Sequence, residues 1–169
     1  MVSIPGGHGV GRMKRFFVSA GAAAALLAFS FAAQAASLVA RIDVAAQKMT
    51  VTHYGKLLYE WPVSTARQGY ITPRGEWRPY RMHKLWHSRT YDNAPMPFAV
   101  FYDRGWAVHG TTAVSRLGTP ASHGCVRLET VNAEAFYTLV RQVGPGNTRI
   151  IVEDGGEAAT ASIATLPES

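Results

Sequence analysis

Only one stretch of this chain repeats its apolar residues at helical spacing. Val131, Ala135, Phe136, Leu139, Val140 and Val143 fall on one face of a helix over 131–143. Thr130 reads as its N-cap, although Ala133 fails to complete a capping box. Gly144-Pro145-Gly146 stops it. The remaining patterned segments are short and extended: 39–44 and 48–53 alternate apolar and polar residues, and 57–64, 77–80, 97–102, 106–109 and 148–153 read as further strands. Tyr54-Gly55 is placed to close a hairpin, and Asp103-Arg104-Gly105 to form a tight turn. Residues 66–75 form a loop carrying the Thr72-Pro73-Arg74-Gly75 turn signal, and 111–121 form a second loop. Segment 81–96 reads as an irregular excursion or a single helical turn. A chain with one helix among so many strands is mainly β.

With 169 residues, the chain has room for one domain. Its first 35 residues stand apart from that domain. Met13-Lys14-Arg15 is a basic opening, 16–33 carries no charge, and Ala33-Gln34-Ala35 is a small-x-small cleavage site. This is the three-part pattern of a signal peptide, and a retained membrane anchor is the alternative. Met13 is an alternative start. The expected organisation is signal peptide 1–35, catalytic or binding domain 36–153 and a flexible tail 154–169, in the periplasm or cell envelope. Of the 17 basic and 11 acidic residues, Arg12, Lys14 and Arg15 leave with the signal, so the net charge drops from +6 to +3. The remaining basic residues are scattered, which gives no support to nucleic-acid binding.

Export changes the meaning of Cys125, the single cysteine. It excludes an intramolecular disulfide and a thiolate-rich metal cluster. An odd cysteine in an oxidising compartment suggests an intermolecular bridge or a reactive thiol. The surrounding residues are His109-Gly110-Thr111 and Ser122-His123-Gly124-Cys125-Val126-Arg127. A thiol nucleophile needs a base to take its proton, and His109, at the end of an expected strand, can supply one across a loop return. His123 has a supporting role in the pocket. Gly124 permits close backbone approach, and the amides of Gly124 and Cys125 are candidates for an oxyanion hole. Arg127 suits a substrate carboxylate. The carbonyl of Gly110, or another backbone group, is left to orient His109.

The same residue types also suit an inert core thiol, a satisfied strand-end histidine and a surface arginine, and chemistry alone leaves both readings open. His83 and His87 have i,i+4 spacing, but Lys84 stands where a zinc protease carries glutamate. No metal or cofactor is assigned.

The stretches His109-Gly110-Thr111, Leu117-Gly118-Thr119-Pro120 and Ala121 to Leu128 resemble the signature of the L,D-transpeptidases, of the YkuD or ErfK/YbiS/YcfS/YnhG type. Pro62-Val63-Ser64-Thr65, Thr72 to Gly75 and Tyr91 to Pro97 also resemble the family, and the likeness covers nearly all of 38–153. It implies a mainly β catalytic domain with a mixed, sandwich-like core and one main helix after the cysteine. It implies Cys125 as nucleophile, His109 as general acid/base and Gly124 beside the oxyanion. Ser122, His123 and Thr111 would shape the pocket, and Arg127 would be the motif arginine. The implied reaction is cleavage of the L,D bond after the diamino acid of a peptidoglycan tetrapeptide, with release of D-alanine. The acyl group then passes to an amine of a second stem or of an envelope lipoprotein. Transfer to water, as an L,D-carboxypeptidase, and a non-catalytic peptidoglycan-binding module are the alternatives. Acylation by carbapenems is a further implication.

Overall fold

The computed structural model describes residues 36–155; the expected signal peptide and residues 156–169 of the expected tail lie outside them. Among the described residues, nine strands form two sheets. The first holds β1 (Leu38–Asp43), β2 (Lys48–His53), β3 (Lys56–Pro62), β4 (Gly75–Trp77) and β9 (Thr148–Glu153) in the order β3-β2-β1-β9-β4. The second holds β5 (Arg81–His87), β6 (Pro95–Asp103), β7 (Trp106–Thr111) and β8 (Val126–Glu129) in sequential order. The one α-helix among the described residues, α1 (Thr130–Val143), follows β8 directly. This is the mixed, sandwich-like architecture expected from sequence.

Alternation explains the core. Leu38, Ala40 and Ile42 of β1, Met49 and Val51 of β2, and Ile150 and Val152 of β9 all point inward. They share one apolar cluster with Val100 and Tyr102 of β6, Val108 of β7, and Val126 and Leu128 of β8. Tyr54 and Gly55, both at positive φ (48° and 78°), close the β2–β3 hairpin as expected. A smaller cluster on the opposite face of the second sheet joins Met96, Ala99, Phe101 and Ala107. Met96 and Ala99 differ in parity, yet share that face. Phe98 lies between them at φ 52°, and its left-handed backbone shifts the phase of the alternation.

Three sequence expectations are corrected. Segment 81–96 is not an excursion: Arg81–His87 is strand β5, paired antiparallel with β6 from Arg81↔Phe101 to His87↔Pro95. As an edge strand with mostly exposed or half-exposed residues, it lacks the apolar alternation that betrays a strand. Only Ser88–Ala94 is a turn, closed by Ser88 N–H on the Ala94 carbonyl at 2.9 Å. The strand expected at 77–80 lies at Gly75–Trp77, where it pairs with β9. The helix begins at Thr130 with Glu129 as its N-cap, and its buried face is Ala133, Phe136, Tyr137 and Val140. Val131, expected in the core, is 62% exposed, because α1 packs on β6, β7 and β8 through the stripe centred on Phe136.

Candidate active site

A parallel strand pair cannot be joined by a tight hairpin. β7 and β8 are parallel, so residues 112–125 must cross back over the end of the sheet. The register pairs Val108 with Val126 and His109 with Arg127. Cys125 stands one step before β8, two residues from Arg127, and so shares the face on which His109 emerges. The sheet register, rather than chain proximity, brings the imidazole and the thiol to one surface. His109, Cys125, Arg127, Thr111 and His123 all line a cavity of about 770 Å³ on the outer face of the second sheet.

His109 is 6% exposed. Its Nδ1 lies 2.8 Å from the Gly110 carbonyl oxygen. A carbonyl only accepts, so Nδ1 carries the proton and Nε2 is left as the acceptor. Burial and the nearby Arg127 charge, against the pull of the Gly110 hydrogen bond, lower the pKa of His109 to about 4. At neutral pH it is an uncharged base. Gly110 itself is fixed by space: a Cβ there would come within 3.0 Å of the Thr130 Cα and of Pro97.

Cys125 is partly exposed on the cavity wall, not sealed in apolar packing. Burial pushes its thiol pKa up, while a hydrogen bond from the Ala107 amide and the Arg127 charge pull it down. Burial dominates, so the resting pair is thiol and neutral imidazole. The thiol thus still needs the base that the sequence reading assigned to it. Sγ also lies 3.9 Å from the Gly105 carbonyl.

The turn before Cys125 is organised by Ser122. Its buried hydroxyl donates to the Cys125 carbonyl at 2.6 Å and accepts from the Gly124 N–H at 2.9 Å. Ser122 thus shapes the turn from beneath and does not line the cavity. The Gly124 amide is already engaged, which takes it out of the expected oxyanion pair and leaves the Cys125 amide. Gly124 has φ +131°, and a Cβ there would overlap Trp106 Nε1 and come within 2.7 Å of the Ile71 carbonyl. The segment that leaves β3 braces this turn. Ser64 and Arg127 exchange backbone hydrogen bonds of 3.0 and 2.9 Å, and the Ala121 and Ser122 amides both donate to the Thr65 carbonyl.

Sequence reasoning missed the surroundings of His123. Arg67 Nη2 lies 2.7 Å from His123 Nε2. The Tyr91 ring stacks on the imidazole at 4.1 Å, and Tyr70 meets it edge-on at 4.6 Å. Desolvation and the Arg67 and Arg127 charges hold the His123 pKa below its ordinary value, so it can accept from Arg67. Arg67 and Tyr70 belong to a loop whose sequence shows no more than turn signals, and nothing in it marks this contact.

The model of the YkuD family, described as the L,D-transpeptidase catalytic domain, matches residues 37–156. No curated protein matches by sequence search. Among solved structures, an L,D-transpeptidase from Mycobacterium smegmatis is 27% identical with a TM-score of 0.62, over 69% of this chain and 58% of that one. The L,D-transpeptidase from Xylanimonas cellulosilytica DSM 15894 is 25% identical with a TM-score of 0.59, over 72% and 62%. L,D-transpeptidase 3 from Mycobacterium tuberculosis, in complex with a faropenem-derived adduct, shares the fold at 23% identity and a TM-score of 0.60, over 70% and 60%. The chain thus spans less than two thirds of these relatives' length. The family match covers every element from β1 to β9, and on that match the chain belongs to the YkuD family of L,D-transpeptidase catalytic domains.

Proposed function

We propose that this protein is a peptidoglycan L,D-transpeptidase of the cell envelope, exported by a signal peptide over 1–35. The observation that carries the reading is a thiol and an oriented, unprotonated imidazole on one wall of a cavity large enough for a peptide. His109 Nε2 takes the Cys125 proton as sulfur attacks the carbonyl of the L,D bond after the diamino acid of a tetrapeptide. The Cys125 amide faces the developing oxyanion, and Arg127 receives a substrate carboxylate. The His109 imidazolium then protonates the leaving amine, D-alanine departs, and a thioester remains. An amine of a second stem, or of an envelope protein, attacks the thioester. The new amide forms, and the proton returns to sulfur. Water in the amine's place gives the carboxypeptidase outcome.

Two features support this balance. The Gly110 carbonyl holds the tautomer that a base needs. The neutral resting pair keeps the nucleophile quiet until substrate fills the site. The faropenem-derived adduct borne by the M. tuberculosis relative makes penems natural probes of Cys125, and the imipenem complex of another L,D-transpeptidase adds the carbapenems. The test is muropeptide analysis with purified protein. Tetrapeptide-bearing muropeptides are expected to give 3-3 cross-linked dimers, or tripeptides where water resolves the thioester. Identical product profiles from the wild type and Cys125→Ala would remove the proposal.

A further inference from the structure

The cavity is strongly and one-sidedly charged. Arg81, Arg89, Arg104 and Arg127 line it, and among the described residues no aspartate or glutamate does. The ion pairs of the described residues use Arg41, Lys48, Arg74 and Arg149 instead. Arg127 lies beside Cys125 and serves the reacting end. Arg81 and Arg89 lie elsewhere, on β5 and in the turn that follows it.

These two arginines converge on one ring. The Arg81 guanidinium carbon sits 4.7 Å from the Trp86 ring centroid and 4.2 Å from that of Phe101. Arg89 sits 5.8 Å from the same indole. Trp86 is itself propped edge-on against Phe101, at 5.7 Å and 81°. An aromatic face orients a guanidinium without using its N–H donors. Among the described residues, neither arginine donates a side-chain hydrogen bond or makes an ion pair with a carboxylate. Two like charges sharing one indole repel each other, and a bound anion would relieve that repulsion.

We propose that Arg81, Trp86 and Arg89 form a second carboxylate subsite, which makes the enzyme selective for donor peptides whose carboxylates are free rather than amidated. This rests on the transpeptidase reading and names the donor's chemistry. Position sets which carboxylate is meant. β5 lies two strands from β7, and Trp86 is further displaced along its strand from the level of His109, so the two backbones are at least roughly 10 Å apart at about 4.8 Å per strand. That exceeds the reach of a group on the scissile carbonyl's own carbon. It fits a carboxylate on the side of the donor that stays attached to the enzyme, either the distal one of the diamino acid or one carried by the residue before it. A carboxamide offers a neutral oxygen and two donors that meet only donors, so it loses the charge-assisted contact.

The test uses the full chain carrying Cys125→Ala, titrated by calorimetry with three synthetic tetrapeptides: the free acid, the amide at the diamino acid's distal carboxyl, and the amide at the preceding residue. One amide is expected to bind about tenfold or more weakly than the acid, and which one identifies the carboxylate. Adding Arg81→Gln and Arg89→Gln is expected to weaken the acid and bring the three peptides within about twofold. Arg89→Gln alone, at an exposed position, gives a partial loss of discrimination even if the double change disturbs Trp86. Equal binding of all three peptides, discrimination that survives the substitutions, or no binding at all overturns the subsite. Failure of the transpeptidase reading looks different: wild type forms no thioester with any peptide, while the binding differences persist.

Discussion

At the scale of single residues, the chemistry turns on how burial treats His109 and Cys125. Burial lowers the histidine to about 4 and raises the thiol. The acid limb of kcat/KM, which reports the free enzyme's base, is therefore expected near pH 4; a limb near 6.5 would show a solvated imidazole. Stability follows the same shift. Between pH 6.5 and 4 the unfolded chain binds a proton that folded His109 refuses. Stability is thus complete above pH 6.5 and falls towards pH 4, by on the order of 3 kcal/mol. Urea unfolding from pH 7 to 4 is expected to give a shallower decline for His109→Gln than for wild type. Gly124→Ala tests the turn. Its Cβ would overlap Trp106 at a φ that side chains rarely adopt, so a loss of about 2 kcal/mol or more is expected in denaturant titrations, with greatly slowed acylation.

At the scale of elements, the parallel β7–β8 pair does the positioning, and its crossover carries the motif. The motif residues were legible in the sequence because they are contiguous and chemically distinctive. Their convergence was not, because it depends on a register that no local pattern encodes. The helix shows the same division. Its existence and its end at Gly144 were readable from spacing and turn chemistry, but the buried stripe is centred on Phe136 and leaves Val131 in solvent. The partner decides which face is covered. Phe136→Ala is accordingly expected to cost about 3–5 kcal/mol, and Val131→Ala within about 0.5 kcal/mol, in chemical denaturation. Comparable losses at both positions would mean that the helix packs by a different face.

At the scale of all the described residues, the first sheet acts as scaffold and the second presents the candidate site on its outer face. Strands with clean alternation, such as β1, β2 and β9, could be read directly, and they form the buried centre of the scaffold. β5 could not, and it is β5 that brings Arg81 and Trp86 to the cavity. Those residues lie far from Cys125 in sequence and have no motif of their own. The candidate thiol and base were therefore visible before the fold, and the surface proposed to read the substrate only after it. The most direct measurement is the intact mass of the protein after incubation with a tetrapeptide donor or a carbapenem. One acyl group located on Cys125 in the wild type, formed far more slowly in His109→Gln and never in Cys125→Ala, is the expected result. An unmodified wild type under conditions where the protein is folded, or an adduct that persists when Cys125 is alanine, would contradict the account.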